Sequence, residues 1–157
     1  MARAPRVAFP GAIYHVRARG NARHDIVSAT EHGQRLEDDL ALSVIRYGWE
    51  LLTYVRMTNH LHLLWRTPRP NLSRGMQYFL SRYANWYHRR QSRPGHLFQG
   101  RSKADLVEDK TYYWQVSRSI HLNPPRTQPP LVAHPRDWRW SSYCGFDCQR
   151  HRFGWVA

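Results

Sequence analysis

Two histidines separated by a single leucine stand in the run Thr58-Asn59-His60-Leu61-His62-Leu63-Leu64-Trp65. Its apolar content predicts a strand, whose side chains alternate faces. His60, His62 and Leu64 then share one face, and Leu61, Leu63 and Trp65 share the other. Two neutral imidazoles at that spacing reach one divalent metal ion. The plainer alternative is a pair of half-exposed surface histidines. A second stretch, Ser117 to Arg126, offers a third donor. The amide oxygen of Asn123 suits a hard cation such as Mg²⁺ or Mn²⁺. Standing before Pro124, Asn123 also reads as a helix C-terminal cap. Ser119 lies four residues earlier, so the two share a face beside the apolar stripe, about one helical turn apart.

The surrounding elements must position these groups. Gly11 to Arg19 alternates as a strand, with Ala12, Tyr14, Val16 and Ala18 on one face and Ile13, His15, Arg17 and Arg19 on the other. Leu36, Leu40, Val44 and Tyr47 recur at helical spacing and predict a helix from Thr30, as N-cap, to Tyr47, with Gly48 as C-cap. Trp49–Met57 and His60–Thr67 read as a hairpin around Thr58-Asn59. Asn71 opens a second long helix with a Met and aromatic stripe, which reads as core. His96–Glu108 looks extended, broken at Gly100. Asp109 caps a third helix that runs to about Leu122 and is stopped by Pro124-Pro125. The order predicts an α+β, ferredoxin-like antiparallel sheet with helices on one face and the histidine strand central.

One domain over residues 1–157 is expected. Residues 1–10 form a basic arm, and residues 124–157 form a Pro-rich C-terminal extension packing on the body. Within it, Asp137–Tyr143 reads as a short turn or helix. Apolar residues make up 41% of the chain, with seven Trp and nine Tyr for a core. No apolar run approaches the ~18 residues of a membrane span, and no signal peptide is evident. A cytoplasmic protein with no membrane partner is therefore expected. The net charge of +13 is the footprint of a nucleic-acid binder. Candidate phosphate contacts are Arg17, Arg19, Arg89, Arg90, Arg93, Arg101 and Lys103, on or beside the expected sheet and loop. Cys144 and Cys148 do not make a disulfide framework and read as free thiols; a zinc site with His134 and His151 matches no standard spacing.

Five segments together resemble one family, the HUH single-tyrosine transposases, and especially their REP-associated branch. Met57 to Leu64 is similar to the Met-Pro-Asn-His-hydrophobe-His-Leu motif. Arg19-Gly20-Asn21 resembles the turn after the family's first strand, and Gly95 to Arg101 its Gly-x-hydrophobe-aromatic-x-Gly-Arg segment. Ser117 to Arg126 resembles the helix ending in Asn-Pro-Val-Arg, and Trp138 to Tyr143 the Trp-Ser-Ser-Tyr box. The resemblance implies a ferredoxin-like fold that binds single-stranded DNA hairpins and cuts beside them, in the nucleoid-associated setting of a prokaryotic cell. It implies Mg²⁺ or Mn²⁺ held by His60, His62 and Asn123, and a tyrosine nucleophile that forms a 5′-phosphotyrosine and frees a 3′-OH. The family's tyrosine stands four residues before the helix-borne ligand, and here that position is Ser119. The expectation is metal-dependent strand cleavage and joining by a monomer or homodimer. One alternative is a catalytically lapsed relative that only binds structured single-stranded DNA. Another is a basic RNA- or ribosome-binding domain.

Overall fold

The chain runs strand, helix, strand, strand, helix, strand, helix, in the order its periodicity predicts. β1 spans Ala12–Arg19, α1 Thr30–Tyr47, β2 Glu50–Arg56, β3 His60–Thr67, α2 Leu72–Gln91, β4 Lys103–Leu106 and α3 Lys110–His121. The structure, a computed structural model, describes residues 5–143. Cys144, Cys148 and the rest of the C-terminal extension lie outside them, as do the first four residues of the arm.

The four strands form one antiparallel sheet in the order β2-β3-β1-β4. This is the ferredoxin-like arrangement, with the histidine strand β3 inside it. The expected extended stretch 96–108 contracts to the four residues of β4 plus an isolated bridge between Gly20 and Phe98.

Alternation decides which side chains meet the helices. Ala12, Tyr14, Val16 and Ala18 of β1 join Leu61, Leu63 and Trp65 of β3 in the main core. Leu36, Leu40 and Val44 of α1 and Met76, Phe79 and Tyr83 of α2 close over them. Burying a large apolar side chain of this kind contributes about 1.5–3 kcal/mol.

Among the described residues, the helices on that face are α1 and α2. The expectation of helices on one face therefore needs correction for α3, which packs on the histidine side. There Val116 and Ile120 meet Val55, Leu64 and Val107 in a second core, with Ile13 and Leu52 against it. The reason is that the histidine face is polar only at one end. Its other end is apolar and must be covered.

Local signals were mostly sound. Asp109 caps α3, its carboxylate accepting from the Tyr112 N–H at 2.8 Å. Gly48 takes the left-handed conformation after α1. The α1 N-cap is Ala29 rather than Thr30 and makes no side-chain cap bond. Asn71 precedes α2 without capping it. Its side chain instead accepts from Trp49 Nε1 at 2.7 Å and donates to the Tyr47 carbonyl at 3.0 Å, tying α2 to the α1–β2 turn.

Residues 138–142 run along the outer edge of β2. The Arg56 N–H donates to the Trp140 carbonyl at 2.8 Å, and the Ser142 N–H to the Tyr54 carbonyl at 3.0 Å. The Arg56 guanidinium sits 4.0 Å from the Trp140 ring centroid. An otherwise open sheet edge is thereby paired.

Candidate functional site

Pairing between β1 and β3 builds the histidine face. In register, Arg19 lies opposite His60, Arg17 opposite His62, and His15 opposite Leu64. His60 and His62 sit with ring centroids 5.2 Å apart and nearly perpendicular planes. His60 Nδ1 lies 2.6 Å from Asn59 Oδ1, so it donates there and leaves Nε2 with the lone pair. His62 Nδ1 lies 2.9 Å from His15 Nε2, and those two rings stack. Each ring thus spends Nδ1 inside the protein and keeps Nε2 for a ligand.

Electrostatics keep the rings neutral. Burial pushes His62 down to about 3, and His60, His15, Arg17 and Arg19 add to the effect. Burial and then Arg17 lower His15 to about 4, opposed by Asp105. Burial and Arg19 lower His60, while a side-chain hydrogen bond with Asn123 acts the other way. Neutral imidazoles are the metal-binding form.

The turn before β3 is clasped by the loop after β1. The Thr58 carbonyl accepts from the N–H groups of Ile26 and Val27, and the Asn59 carbonyl from that of Gly20. A Cβ on Gly20 would lie 2.0 Å from the His24 carbonyl oxygen, so this clasp requires glycine.

The end of α3 delivers Asn123. The helix C-cap is Leu122, and the Asn123 side chain makes no cap bond. It lies near enough to His60 to act on that ring's titration, and with Leu122 as the C-cap the cap reading falls away. His60, His62 and Asn123 are therefore assembled by three different parts of the fold: the hairpin turn, the strand register and the position of α3.

Ser119 is exposed one turn earlier. Among the described residues its hydroxyl has no hydrogen-bond partner. His121 is no base for it, being buried with Nε2 2.9 Å from Ser142 Oγ. Burial lowers His121 to about 4. The rings of Tyr112 and Tyr113 pack partly buried against the second core.

Two imidazoles and one amide oxygen fit a divalent ion that keeps open positions for water or phosphate. Among the described residues no cluster of three or more His, Cys, Asp or Glu offers another metal site. The fit has an electrostatic condition. Arg17, Arg19, Arg101 and Lys103 line the same cleft of about 360 Å³ as His60 and His62. A bare cation is repelled there, whereas a cation with a phosphodiester is not.

Residues 8–121 match the pattern of the IS200-like transposases. The chain belongs to that family. Its fold is that of a REP-associated tyrosine transposase solved bound to a REP hairpin. The two share 16% identity with a TM-score of 0.80, over 100% of this chain and 98% of the other. A candidate transposase from Deinococcus radiodurans R1 is 19% identical with a TM-score of 0.54, over 76% of this chain and 95% of that one. No protein of curated function matches.

In this IS200-like transposase the seven candidate cations separate into groups. Arg17, Arg19, Arg101 and Lys103 gather at the histidines, Arg17 also pairing closely with Asp105. Arg93 lines a small cleft beyond the C-terminal end of β1 with Asn21, His24, His88 and His96. Arg89 and Arg90, expected on or beside the sheet and loop, lie apart from the histidine face. They sit at the C-terminal end of α2, which packs on the opposite side of the sheet. His15 and Gln99 are the site residues that motif reading missed. Alternation along β1 already put His15 beside Arg17, but only strand register brings it to His62.

Proposed function

We propose that this IS200-like transposase holds single-stranded DNA beside a hairpin on its histidine face, together with Mg²⁺ or Mn²⁺, and that the unaltered chain does not cut it. The observation that carries the reading is one helix end with two halves. Asn123 comes close to His60, while Ser119, at the position where the resembled family carries its tyrosine, is exposed and without a base. The hairpin-bound relative supports the choice of DNA.

His60, His62 and Asn123 would hold the ion, whose chemistry is to polarise a phosphodiester oxygen. Arg17, Arg19 and Lys103 offset the phosphate charge. His15 holds the His62 ring so that Nε2 faces the cleft. A serine hydroxyl needs a positioned base to become a nucleophile, and Ser119 has none.

The test is incubation of a hairpin-bearing single-stranded oligonucleotide with the protein and Mn²⁺, resolved on native and denaturing gels. The unaltered chain should shift the DNA without covalent attachment. Ser119→Tyr should give a 5′-phosphotyrosine adduct, because an exposed position leaves room for the ring. In that step a bond forms from the tyrosine oxygen to phosphorus. The bond to O3′ breaks, and that oxygen leaves as the 3′-hydroxyl. Cleavage by the unaltered chain that persists in Tyr112→Phe and Tyr113→Phe overturns the reading of a lapsed nucleophile.

A further inference from the structure

The helix side of the domain carries a second basic groove, remote from the histidines. It lies between α1 and α2, has a volume of about 600 Å³, and is lined by Arg35, Arg74, Arg82 and Arg89 with Tyr78 and Trp86 among them. Asp39, buried on α1, receives Arg35 Nε at 2.9 Å and Arg82 Nε at 2.6 Å. Four guanidinium groups thus face one carboxylate. Further arginines are stacked at the groove: Arg46 lies 4.8 Å from the Tyr78 centroid, and Arg35 and Arg90 each lie 5.5 Å from that of Trp86. Stacking and the Asp39 bonds hold these long side chains in place, which reduces the entropy lost on binding an anion. Arg74 and Arg89 are exposed and make no ion pair or hydrogen bond among the described residues. Two cations with no internal partner, beside pre-ordered ones, make a poor stabilising network and a good polyanion surface.

The groove is not isolated from the histidine face. Arg19 at the histidine cleft adjoins Asn21 of the small cleft through the Gly20 turn. In that small cleft Asn21 meets His88 and Arg93. His88 adjoins Arg89 of the groove. Chain neighbours thus link the three clefts, from the histidine face past the C-terminal end of β1 to the α1–α2 side.

We propose that the α1–α2 groove is a second nucleic-acid site, binding the phosphate backbone of the same DNA as it leaves the histidine face past the C-terminal end of β1. The proposal rests on the DNA-binding reading above, and its partner follows from charge complementarity with closely spaced phosphates.

The experiment measures fluorescence anisotropy of a labelled hairpin oligonucleotide with a long single-stranded tail, from about 50 to about 300 mM salt. The full chain is compared with Arg74→Gln/Arg89→Gln and with Arg17→Gln/Arg19→Gln, each checked for an unchanged melting curve. Loss of two backbone contacts should weaken binding about tenfold and flatten the log–log salt slope by about 1.4. A tail-less hairpin should not distinguish Arg74→Gln/Arg89→Gln from the unaltered chain. Unchanged affinity and slope in that pair, with weakened binding in the Arg17 pair, overturns the second site and leaves the histidine-face reading intact. Absence of binding by the unaltered chain overturns both. If phosphatidylserine vesicles bind the unaltered chain but not Arg74→Gln/Arg89→Gln, and DNA binding is equal in the two, the groove is a membrane surface and the proposal fails.

Discussion

The strand-borne and helix-borne halves of the histidine site have been treated differently. On β1 and β3 the ligands are held by sheet register, by a clasped turn and by bonds at both Nδ1 atoms. On α3, Asn123 comes close to His60, but Ser119 one turn before it carries a short, exposed hydroxyl. The difference is one of packing. Val116 and Ile120 hold α3 on the sheet, and Ser119 points away from that contact. A position without buried contacts can change its side chain at little cost to the fold, whereas the histidine framework is tied to the core.

The largest effect that sharpens this contrast is the gain of a covalent adduct in Ser119→Tyr from a background of none, read on a denaturing gel. Next is metal binding: with the hairpin oligonucleotide present, His62→Ala should remove most Mn²⁺ affinity by calorimetry, and equal affinity in both chains would sink the ligand assignment. His15→Ala should lower that affinity by about tenfold, the effect of losing an orienting partner, without abolishing it. In stability, Ile120→Ala should cost about 2–5 kcal/mol in urea unfolding, and Ser119→Ala less than about 0.5. A large loss from Ser119→Ala would break the comparison, since the residue would then be structural.

The smallest expected effect is on pH. His15, His62 and His121 have folded values near 4, 3 and 4, below the ordinary 6.5. Their neutral forms are the ones the fold favours, so their contribution is fully present above about pH 6.5. It is lost as pH falls through that window toward 4. The urea midpoint should therefore decline from about pH 6.5 downward, and less steeply in His121→Phe. A midpoint flat to pH 4.5 would contradict the buried, neutral assignment.

Much of this was legible in residue order. Alternation separated His60 and His62 from Leu61, Leu63 and Trp65, and the helical stripes bounded α1, α2 and α3 to within a residue or two. The serine at position 119, where the resembled motif carries tyrosine, is read directly from residue order. These are local periodicities, fixed by where a side chain points along its own element. Residue order did not disclose which layer each element joins. That α3 covers the apolar end of the histidine face, bringing Asn123 to His60, depends on Ile13, Leu52 and Leu64 being neighbours across three strands. That His15 holds His62 depends on the β1–β3 register. That Arg89 and Arg90 lie on the α1–α2 side depends on α2 packing against the face of the sheet opposite the histidines. Each of these pairs residues distant in sequence, and only the burial of apolar surface shared by whole elements decides such pairings.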